Sequence, residues 1–478
     1  MLAGAFALLV AAPALVASPA PDIVMVSVDC LRADHCGCYG YGPKTTPILD
    51  AVSRSGVRFE SALATANWTL PSVATLLTGL HPSRHAATHS YSPIRDGIST
   101  VAEQLRAAGY QTCAIVAITF SAPALGLARG FDFYDTRVPE VFLGYRPILG
   151  FVLAARQWMC SMIGNWSPNA DCASADAVEL ARAAADWLRK PAAKPRFLWV
   201  HFLDPHYPYE NRKPYYAQFH PEPAPKESPD FSIGSDANQV LKSFDEFTPA
   251  VRKHALALYD SEVRYTDDGM AILLGGLNRS RTIVLVTGDH GEAFGEHGKL
   301  GHGSDMHLEQ IRVPLIVSGP SVSAGVVVTE PVSLLDVAPT LLDFARAANP
   351  GTMDGGSLVP RFDGDTAGTS RPAFTERQTM LLTEGDYSMV DGGRHVTMHV
   401  YPFTKHEPDV AIYDWKTDPG ETHNLFDSLP ENLALSSRLH SHFARMYRTL
   451  GGDVVQGRAA SDPGEGPSDD LRKLGYLR

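Results

Sequence analysis

Unbroken apolar runs recur along the chain, and each ends abruptly at glycine or at polar residues. The clearest example is the aliphatic run from Ile283 to Val286, which is soon followed by Gly288, Asp289 and His290. Such a run is typical of a parallel strand that is covered on both faces. Because open α/β sheets keep their chemistry at the carboxyl ends of the strands, we expect Asp289 and His290 to lie at a functional edge.

The same pattern predicts the order of the other elements. Strands are predicted at 23–28, 112–117, 197–203 and 313–318, and helices at 101–108, 173–189, 250–277 and 334–345. This alternation predicts an α/β fold. From about residue 370 onward, short strands and one helix near 432–447 predict a small α+β unit.

Polar residues stand at the ends of two further strands. Asp29 follows the strand at 23–28, and His206 lies just past the strand at 197–203. If the strands before Asp29 and Asp289 are neighbours, the two carboxylates converge on one cation. The alternatives are that Asp29 only caps a helix and that His206 is an ordinary loop residue.

Thr69 is predicted to lie close to a helix N-terminus, because Pro71 and the apolar run Val73 to Leu77 follow it. The N–H groups and the positive dipole end of a helix stabilise an anion or an alkoxide. The alternative is that Thr69 or Ser72 serves only as a cap.

The net charge of the chain limits the kinds of molecule that it is expected to bind. The formal net charge is −12 over 478 residues, and no stripe rich in Lys and Arg is present. We therefore expect no nucleic-acid surface. A small anionic substrate is compatible with this charge, because a metal ion and a few cations can reverse the field locally.

Residues 1–21 carry no charge and have the length of a signal peptide. They predict export to the periplasm or the medium, with an uncleaved N-terminal anchor as the alternative, and no later stretch predicts a multi-span membrane domain. Cys160 and Cys172 flank a short loop and could bridge in an oxidising compartment. The other four cysteines, at 30, 36, 38 and 113, are predicted to be buried or near-site thiols.

Across about residues 22–447, the chain resembles the sulfatase branch of the alkaline-phosphatase-like superfamily. The resemblance rests on segments in the family's order: VMVSVDCLRADHCGCYGY, PSVATLLTGLHPSRH, HFLDPHYPY, TGDHGEAFGEHG with GHG, RVPLIVSGP, SLLDVAPTLLDF and IYDWKTDPGETHNL. It implies a large, mostly parallel sheet sandwiched by helices, with a small C-terminal α+β subdomain. We divide the chain into a signal peptide (1–21), a catalytic domain (22–365), the subdomain (366–450) and a tail expected to be mobile (451–478).

Two departures from the family pattern bear on the chemistry. True sulfatases carry a Cys or Ser that becomes formylglycine where this chain has Thr69, and their nearby arginine is Val73 here. Threonine cannot become that aldehyde, and in this respect the chain resembles phosphoethanolamine and phosphoglycerol transferases and nucleotide pyrophosphatases, which attack phosphorus. Calcium sulfatases usually have Asp-Asn where this chain has Asp289 and His290.

Residues and resemblance together predict a metal-dependent hydrolase of sulfate or phosphate esters. We predict that Asp29, Thr69, Asp289 and His290 hold one divalent ion. The imidazole favours Mn or Zn, with Ca as an alternative. The sequence does not decide whether a second ion is bound.

Thr69 is the predicted nucleophile, activated by the metal. His206 and His302 are predicted to contact the non-bridging oxygens or to protonate the leaving group, and Lys299 to neutralise charge in the transition state. Cys30 occupies a place where relatives often have a further metal or substrate ligand.

Two other functions stay open from the sequence. One is a phosphotransferase of the phosphoethanolamine or phosphoglycerol type, and the other is a catalytically inactive binding homologue. The expected substrate is a small anionic ester. Whether it is a sulfate, a phosphate or a phosphonate, and which oligomer forms, are left open.

Overall fold

The computed structural model describes residues 20–89, 92–117, 125–137, 176–226, 228–231, 244–364, 371–378, 385–401, 406–428 and 431–449. Residues 1–19 of the predicted signal peptide, the tail at 451–478 and the pair Cys160 and Cys172 lie outside these ranges. Export, anchoring and the bridge therefore stay predictions. Within the described ranges, no helix combines the length and apolar character that a membrane span requires.

The strands of this part of the chain are β1 (Asp22–Val28), β2 (Gly56–Leu63), β3 (Gln111–Val116), β4 (Phe133–Thr136), β5 (Arg196–Phe202), β6 (Thr282–Gly288), β7 (Ala293–Phe294), β8 (Leu300–Gly301), β9 (Arg312–Ser318), β10 (Val326–Val328), β11 (Val332–Ser333), β12 (Ala373–Gln378), β13 (Gly385–Asp391), β14 (Arg394–Val400) and β15 (Asp409–Asp414). The α-helices are α1 (Pro47–Arg54), α2 (Thr69–Thr78), α3 (Pro82–His85), α4 (Val101–Ala107), α5 (Ala177–Arg189), α6 (Tyr216–Phe219), α7 (Pro249–Gly275), α8 (Leu308–Ile311), α9 (Val337–Phe344) and α10 (Glu431–Thr449).

The central sheet has nine strands in the order β10-β2-β9-β6-β1-β5-β3-β4, with β11 beside β2. Among the described strands of this sheet, only β9 runs antiparallel to its neighbours, β2 and β6. The α/β fold with a large, mostly parallel sheet is thus confirmed. In the middle of the sheet, β1 pairs with β5 and β6, and Val28 lies level with Phe202 and Gly288. The segments after these three strands therefore leave the sheet at the same edge.

Alternate residues of β1 pack into two separate cores, one on each face of the sheet. Ile23 and Met25 belong to one core, and Val24 and Val26 to the other. Burial of both faces explains why the predicted strands contain no polar alternation. The helix α2 lies in the first core with every one of its residues buried.

The C-terminal unit is an antiparallel sheet in the order β12-β13-β14-β15, against which α10 packs through Leu439 and Phe443. This confirms the small α+β subdomain, while the residue bounds given above for the domains stay predictions. The sequence does not predict β2 or β12, since polar residues such as Arg58, Glu60 and Glu376 interrupt their apolar pattern.

Glu421 links the C-terminal unit to the catalytic part of the chain. Its carboxylate is buried, accepts a hydrogen bond from the Leu308 N–H at 2.9 Å and contacts Nδ1 of His395. Its carbonyl oxygen lies 3.3 Å from Nε2 of His297, whose Nδ1 lies 2.9 Å from Oε1 of Glu309. One buried residue thus connects β14, α8 and the segment between β7 and β8.

Replacing Glu421 by Ala should lower the free energy of unfolding by about 3 kcal/mol, because it leaves the Leu308 N–H and His395 buried without their acceptor. Urea unfolding followed by circular dichroism measures this change. The matched control is Glu407→Ala at an exposed position, which should change stability by less than about 0.5 kcal/mol. Equal stability of the two variants would show that Glu421 does not link the two units.

The contacts of His297 should make stability depend on pH. The hydrogen bond to Glu309 raises the pKa of His297 from 6.5 to about 9. The stabilisation is therefore fully present below the unfolded value and lost as pH rises through the folded value. Between about pH 7 and about pH 10, the melting temperature of the wild type should fall towards that of Glu309→Gln, which lacks the charge. If the melting temperatures of the two proteins instead differ by the same amount at every pH in this range, His297 does not stabilise the fold in this way.

Candidate functional site

The four side chains predicted to bind a metal lie together at the carboxyl edge of the central sheet. Asp29 follows β1, Asp289 and His290 follow β6, and Thr69 is the first residue of α2. Oγ1 of Thr69 lies 3.2 Å from Nε2 of His290 and 3.5 Å from Oδ2 of Asp29. Nε2 of His290 lies 3.3 Å from Oδ1 of Asp29 and 3.7 Å from Oδ2 of Asp289.

The hydrogen bonds of His290 orient its Nε2 lone pair towards this cluster. Nδ1 lies 2.9 Å from the carbonyl oxygen of Gly291, to which it donates its proton, so Nε2 is an acceptor in the neutral ring. Burial, and then His302, lower the pKa of His290 to about 3, which keeps the ring neutral. Acceptors from His290, Asp29 and Asp289 therefore face one another.

This arrangement of acceptors fits a cation. Oδ2 of Asp289 is buried and has no hydrogen-bond partner among the described residues. Burial, and then the charge of Asp29, raise the pKa of Asp289 well above its ordinary value. A divalent ion bound here would be coordinated by Oδ2 of Asp289 and would remove the repulsion between the two carboxylates.

Neither Thr69 nor Ser72 serves as the N-terminal cap of α2, which was the alternative to a functional role. The residue before α2 is Trp68, which makes no side-chain capping bond. Oγ of Ser72 donates instead to the carbonyl oxygen of Asp289 at 2.5 Å. Ser72 thus fixes the start of α2 against the segment that carries Asp289 and His290.

His302 and His206 lie next to the cluster, on the side of Cys30. The rings of His290 and His302 have centroids 4.5 Å apart, and those of His206 and His302 are 5.1 Å apart. Sγ of Cys30 lies 3.6 Å from Nδ1 of His302 and 3.3 Å from Oδ1 of Asp29. The structure therefore brings six of the predicted residues and Cys30 into one site, and their roles stay predictions.

Lys299 does not join these residues. It lies between β7 and β8, where its N–H and C=O bond to Glu296 and Gly295, and its side chain is exposed. Within the described structure, this side chain makes no hydrogen bond or ion pair with the other predicted site residues. Its role in charge neutralisation stays a prediction that this position does not support.

Three residues that the sequence analysis gave no role belong to the site. His201 on β5 has Nε2 3.5 Å from Oδ2 of Asp29, and its Nδ1 lies 2.8 Å from Oγ of Ser27. Glu292 is buried, with Oε1 3.1 Å from Nδ1 of His302. The hydroxyl of Tyr259 donates to the carbonyl oxygen of Cys30 at 2.7 Å. A histidine inside an otherwise apolar strand was the available signal for His201.

Charge and burial distinguish this site from a surface cluster. Asp29, Asp289 and Glu292 are all at most 1% exposed. Within the described part of the chain, no Lys or Arg side chain pairs with their carboxylates; Arg32, the nearby arginine, instead pairs with Asp34 and Glu296. Among the described residues, the basic side chains beside these carboxylates are imidazoles, and a divalent cation would balance the remaining negative charge.

Comparisons with known proteins agree with this fold. The chain is 25% identical to the uncharacterised sulfatase YidJ of Escherichia coli (strain K12), a match that covers 86% of this chain and 84% of that protein. It is 26% identical to a choline-sulfatase of Rhizobium meliloti (strain 1021), with 85% and 83% covered. The crystal structure of a phosphonate monoester hydrolase of Agrobacterium radiobacter superposes with a TM-score of 0.69 at 21% identity, covering 89% of this chain and 96% of that one.

Family models cover most of the chain. The model described as N-sulphoglucosamine sulphohydrolase, C-terminal, matches residues 295–449. The model described as Sulfatase matches residues 21–347, which span the central sheet and every residue of the site. The chain therefore belongs to the sulfatase family of hydrolases, within the alkaline-phosphatase-like superfamily.

Proposed function

We propose that this protein hydrolyses sulfate or phosphate esters, phosphonate esters included, with Thr69 as the nucleophile. The observation that carries the proposal is the position of the Thr69 hydroxyl, 3.2 Å from His290 and 3.5 Å from Asp29 at the start of a buried helix. A hydroxyl among metal-ligand side chains at a helix N-terminus is placed for attack on an anionic ester.

The sulfatase family is metal-dependent, and Asp29, Asp289, His290 and Thr69 are the residues proposed to hold the ion. Bound there, a divalent metal would lower the pKa of the Thr69 hydroxyl and neutralise charge on the ester. One imidazole beside two carboxylates suits Mn or Zn better than Ca.

The reaction proceeds in two displacements on the chain's own hydroxyl. Oγ1 of Thr69 gives up its proton to solvent and forms a bond to phosphorus or sulfur. The bond to the leaving oxygen breaks, and that oxygen leaves with a proton from His206 or His302. His302, whose ring lies beside that of His290, and His206, whose ring lies beside that of His302, act on the non-bridging oxygens or on the leaving oxygen. Water then attacks the phospho- or sulfo-threonine, and the Thr69 oxygen recovers a proton as it leaves.

The sulfur and phosphorus versions of this reaction have different support. One similar protein is named as a choline-sulfatase, and another as a phosphonate monoester hydrolase. A threonine cannot form the aldehyde that sulfatases use, and this favours phosphorus. Transfer to an alcohol instead of water, as in a phosphotransferase, uses the same nucleophile and is the second candidate.

Replacing Thr69 by Ala should lower turnover by roughly 1,000-fold or more, because it removes the attacking atom. Metal content should fall little, since Asp29, Asp289 and His290 are intact. Turnover of an activated aryl ester and elemental analysis on the same sample measure both. The matched control is Thr78→Ala in the same helix, where the hydroxyl donates to the carbonyl oxygen of Ala74 and accepts from the Leu80 N–H, away from the site.

Mass spectrometry of acid-quenched enzyme should detect the group transferred to Thr69. Thr69→Ser keeps a hydroxyl and should retain measurable turnover. Unchanged turnover in Thr69→Ala, with a well-folded protein, would remove Thr69 from the mechanism.

Attack on sulfur and attack on phosphorus can be distinguished by measuring turnover of four substrates with added Mn or Zn. These are an aryl sulfate, a phosphate monoester, a phosphodiester and a phosphonate monoester. We expect at least one phosphorus ester to be cleaved faster than the sulfate. Adding glycerol or ethanolamine as acceptor tests transfer, which would appear as a new ester of the added alcohol. A protein that cleaves none of these esters but binds metal would favour an inactive binding homologue.

A further inference from the structure

His206 differs from the residues proposed to hold the metal in how the fold supports it. Those residues directly follow strands or begin α2, whereas His206 lies in the irregular segment between the end of β5 at Phe202 and the start of α6 at Tyr216. Its ring nevertheless lies beside that of His302, with centroids 5.1 Å apart. Because this segment has no backbone ladder of its own, the side chains that contact it decide where the imidazole lies.

The side chain of Arg212 joins the two ends of the segment that carries His206. Its Nη2 donates to Oδ1 of Asp204 at 2.7 Å, and its Nη1 lies 3.1 Å from Oε2 of Glu210. Asp204 comes two positions before His206, and Glu210 comes four positions after it. A guanidinium group donates through several N–H groups in one plane, so one side chain can hold both carboxylates at a fixed separation. Residues 204–212 therefore form a closed loop, called here the 204–212 loop.

Helix α7 in turn holds Arg212. The guanidinium carbon lies 4.6 Å from the centroid of the Tyr265 ring, and Nε lies 3.7 Å from Oε1 of Glu262. The same oxygen of Glu262 accepts a hydrogen bond from the Glu210 N–H at 2.8 Å. The side chain of Arg212 is 17% exposed and that of Glu262 only 1%. A cation–π contact and a buried carboxyl group thus attach the 204–212 loop to a helix that packs in the core.

Asp204 attaches the start of the 204–212 loop independently of Arg212. Its Oδ2 accepts a hydrogen bond from the Ala177 N–H, at the start of α5, at 2.8 Å. Its carbonyl oxygen accepts from the hydroxyl of Thr266 on α7 at 3.1 Å. Because neither bond involves Arg212, both should survive its replacement. Loss of the guanidinium fork should therefore loosen the part of the loop from His206 onward and leave its start attached.

Arg212 is not placed to bind the substrate itself. Its N–H groups face Asp204, Glu210 and Glu262, and the carboxyl groups of Asp204 and Glu262 are buried. An arginine surrounded by carboxyl groups has little positive potential left for an anionic ester. Any effect of Arg212 on the reaction should therefore reach the substrate through the position of His206.

We propose that Arg212 is a positioning residue, whose guanidinium group keeps the imidazole of His206 beside that of His302. The inference rests on the proposed function, in which both histidines act on the substrate oxygens, and it adds a residue that works only through one of them. A displacement of about 1 Å at a reacting group can lower turnover by roughly 100-fold. A small movement of the 204–212 loop is therefore sufficient to affect catalysis.

A double-mutant cycle tests whether Arg212 acts through His206. Arg212→Lys keeps the positive charge but cannot bridge Asp204 and Glu210 as a planar fork does. With whichever of the four esters is cleaved fastest, it should lower kcat by roughly 10- to 100-fold and change KM by less than about twofold. In a His206→Ala background the same replacement should change kcat by less than about twofold, because its route to the substrate is already gone.

NMR of the full chain with isotope-labelled histidine tests the position of His206 without reference to activity. The His206 signal, identified by its absence from the spectrum of His206→Ala, should move in Arg212→Lys. The matched control is Arg264→Lys on α7. The side chain of Arg264 is 19% exposed, its guanidinium carbon lies 4.8 Å from the ring centroid of Tyr215, and it pairs with Asp268. Since in the described structure it makes no hydrogen bond or ion pair with the 204–212 loop, its replacement should change neither kcat nor the His206 signal.

Two results would overturn the proposal. One is an unchanged His206 signal in Arg212→Lys that circular dichroism shows to be folded, and the other is an equal loss of kcat in the wild-type and His206→Ala backgrounds. If Arg212→Lys does not fold, Glu210→Ala decides by the same measurements, because it removes one arm of the fork at a side chain that is 55% exposed.

The same variants separate this inference from the proposed function. If Thr69→Ala keeps its turnover while the His206 signal moves in Arg212→Lys, the proposed function is wrong and Arg212 still positions His206. If Thr69→Ala is inactive while the His206 signal stays unchanged in Arg212→Lys, the proposed function stands and the role of Arg212 is wrong.

Discussion

Repulsion between buried carboxylates is the constraint on which this structure depends. Asp29 and Asp289 bring ligand oxygens within 4.8 Å of each other in a space that solvent does not reach. Unit charges at such a distance repel by roughly 3.5 kcal/mol at an effective dielectric of about 20. With no Lys or Arg side chain paired to either in the described residues, a bound cation is the direct way to stabilise both in the ionised state.

The sheet imposes this closeness, because β1 and β6 are parallel neighbours in matched register. Val28 lies beside Gly288, so the next residue on each strand carries its carboxylate to the same edge. The β5 strand adds His201 on the other side of β1, where Ser27 is its partner in register. Helix α2 then places Thr69 over the edge, and Ser72 fastens the helix to Asp289. Each of these side chains thus comes from, or directly follows, an element that the core holds in place.

Much of the fold could be predicted from the sequence, because strands buried on both faces leave unbroken apolar runs. The closeness of Asp29 and Asp289 could be predicted only on the condition that their two strands are neighbours. Which strands are neighbours depends on long-range packing, which the local sequence pattern does not give. His201 was missed because one histidine hardly alters an apolar strand. Lys299 was included because it is close in sequence to Asp289 and His302, but the chain between β7 and β8 turns its side chain to solvent. β2 and β12 were missed because tertiary pairing overrides their mixed local pattern.

The complete burial of α2 has a consequence for how specificity can change in this protein. Because all ten residues of the helix are buried, the Thr69 hydroxyl has almost no freedom to be moved by mutation. New ester preferences, whether acquired by natural divergence or by directed evolution, must then come from the segments that surround the edge. Libraries that vary the helix itself would mostly return unfolded chains, whereas libraries in the segment after β5 should return folded ones with altered substrate profiles.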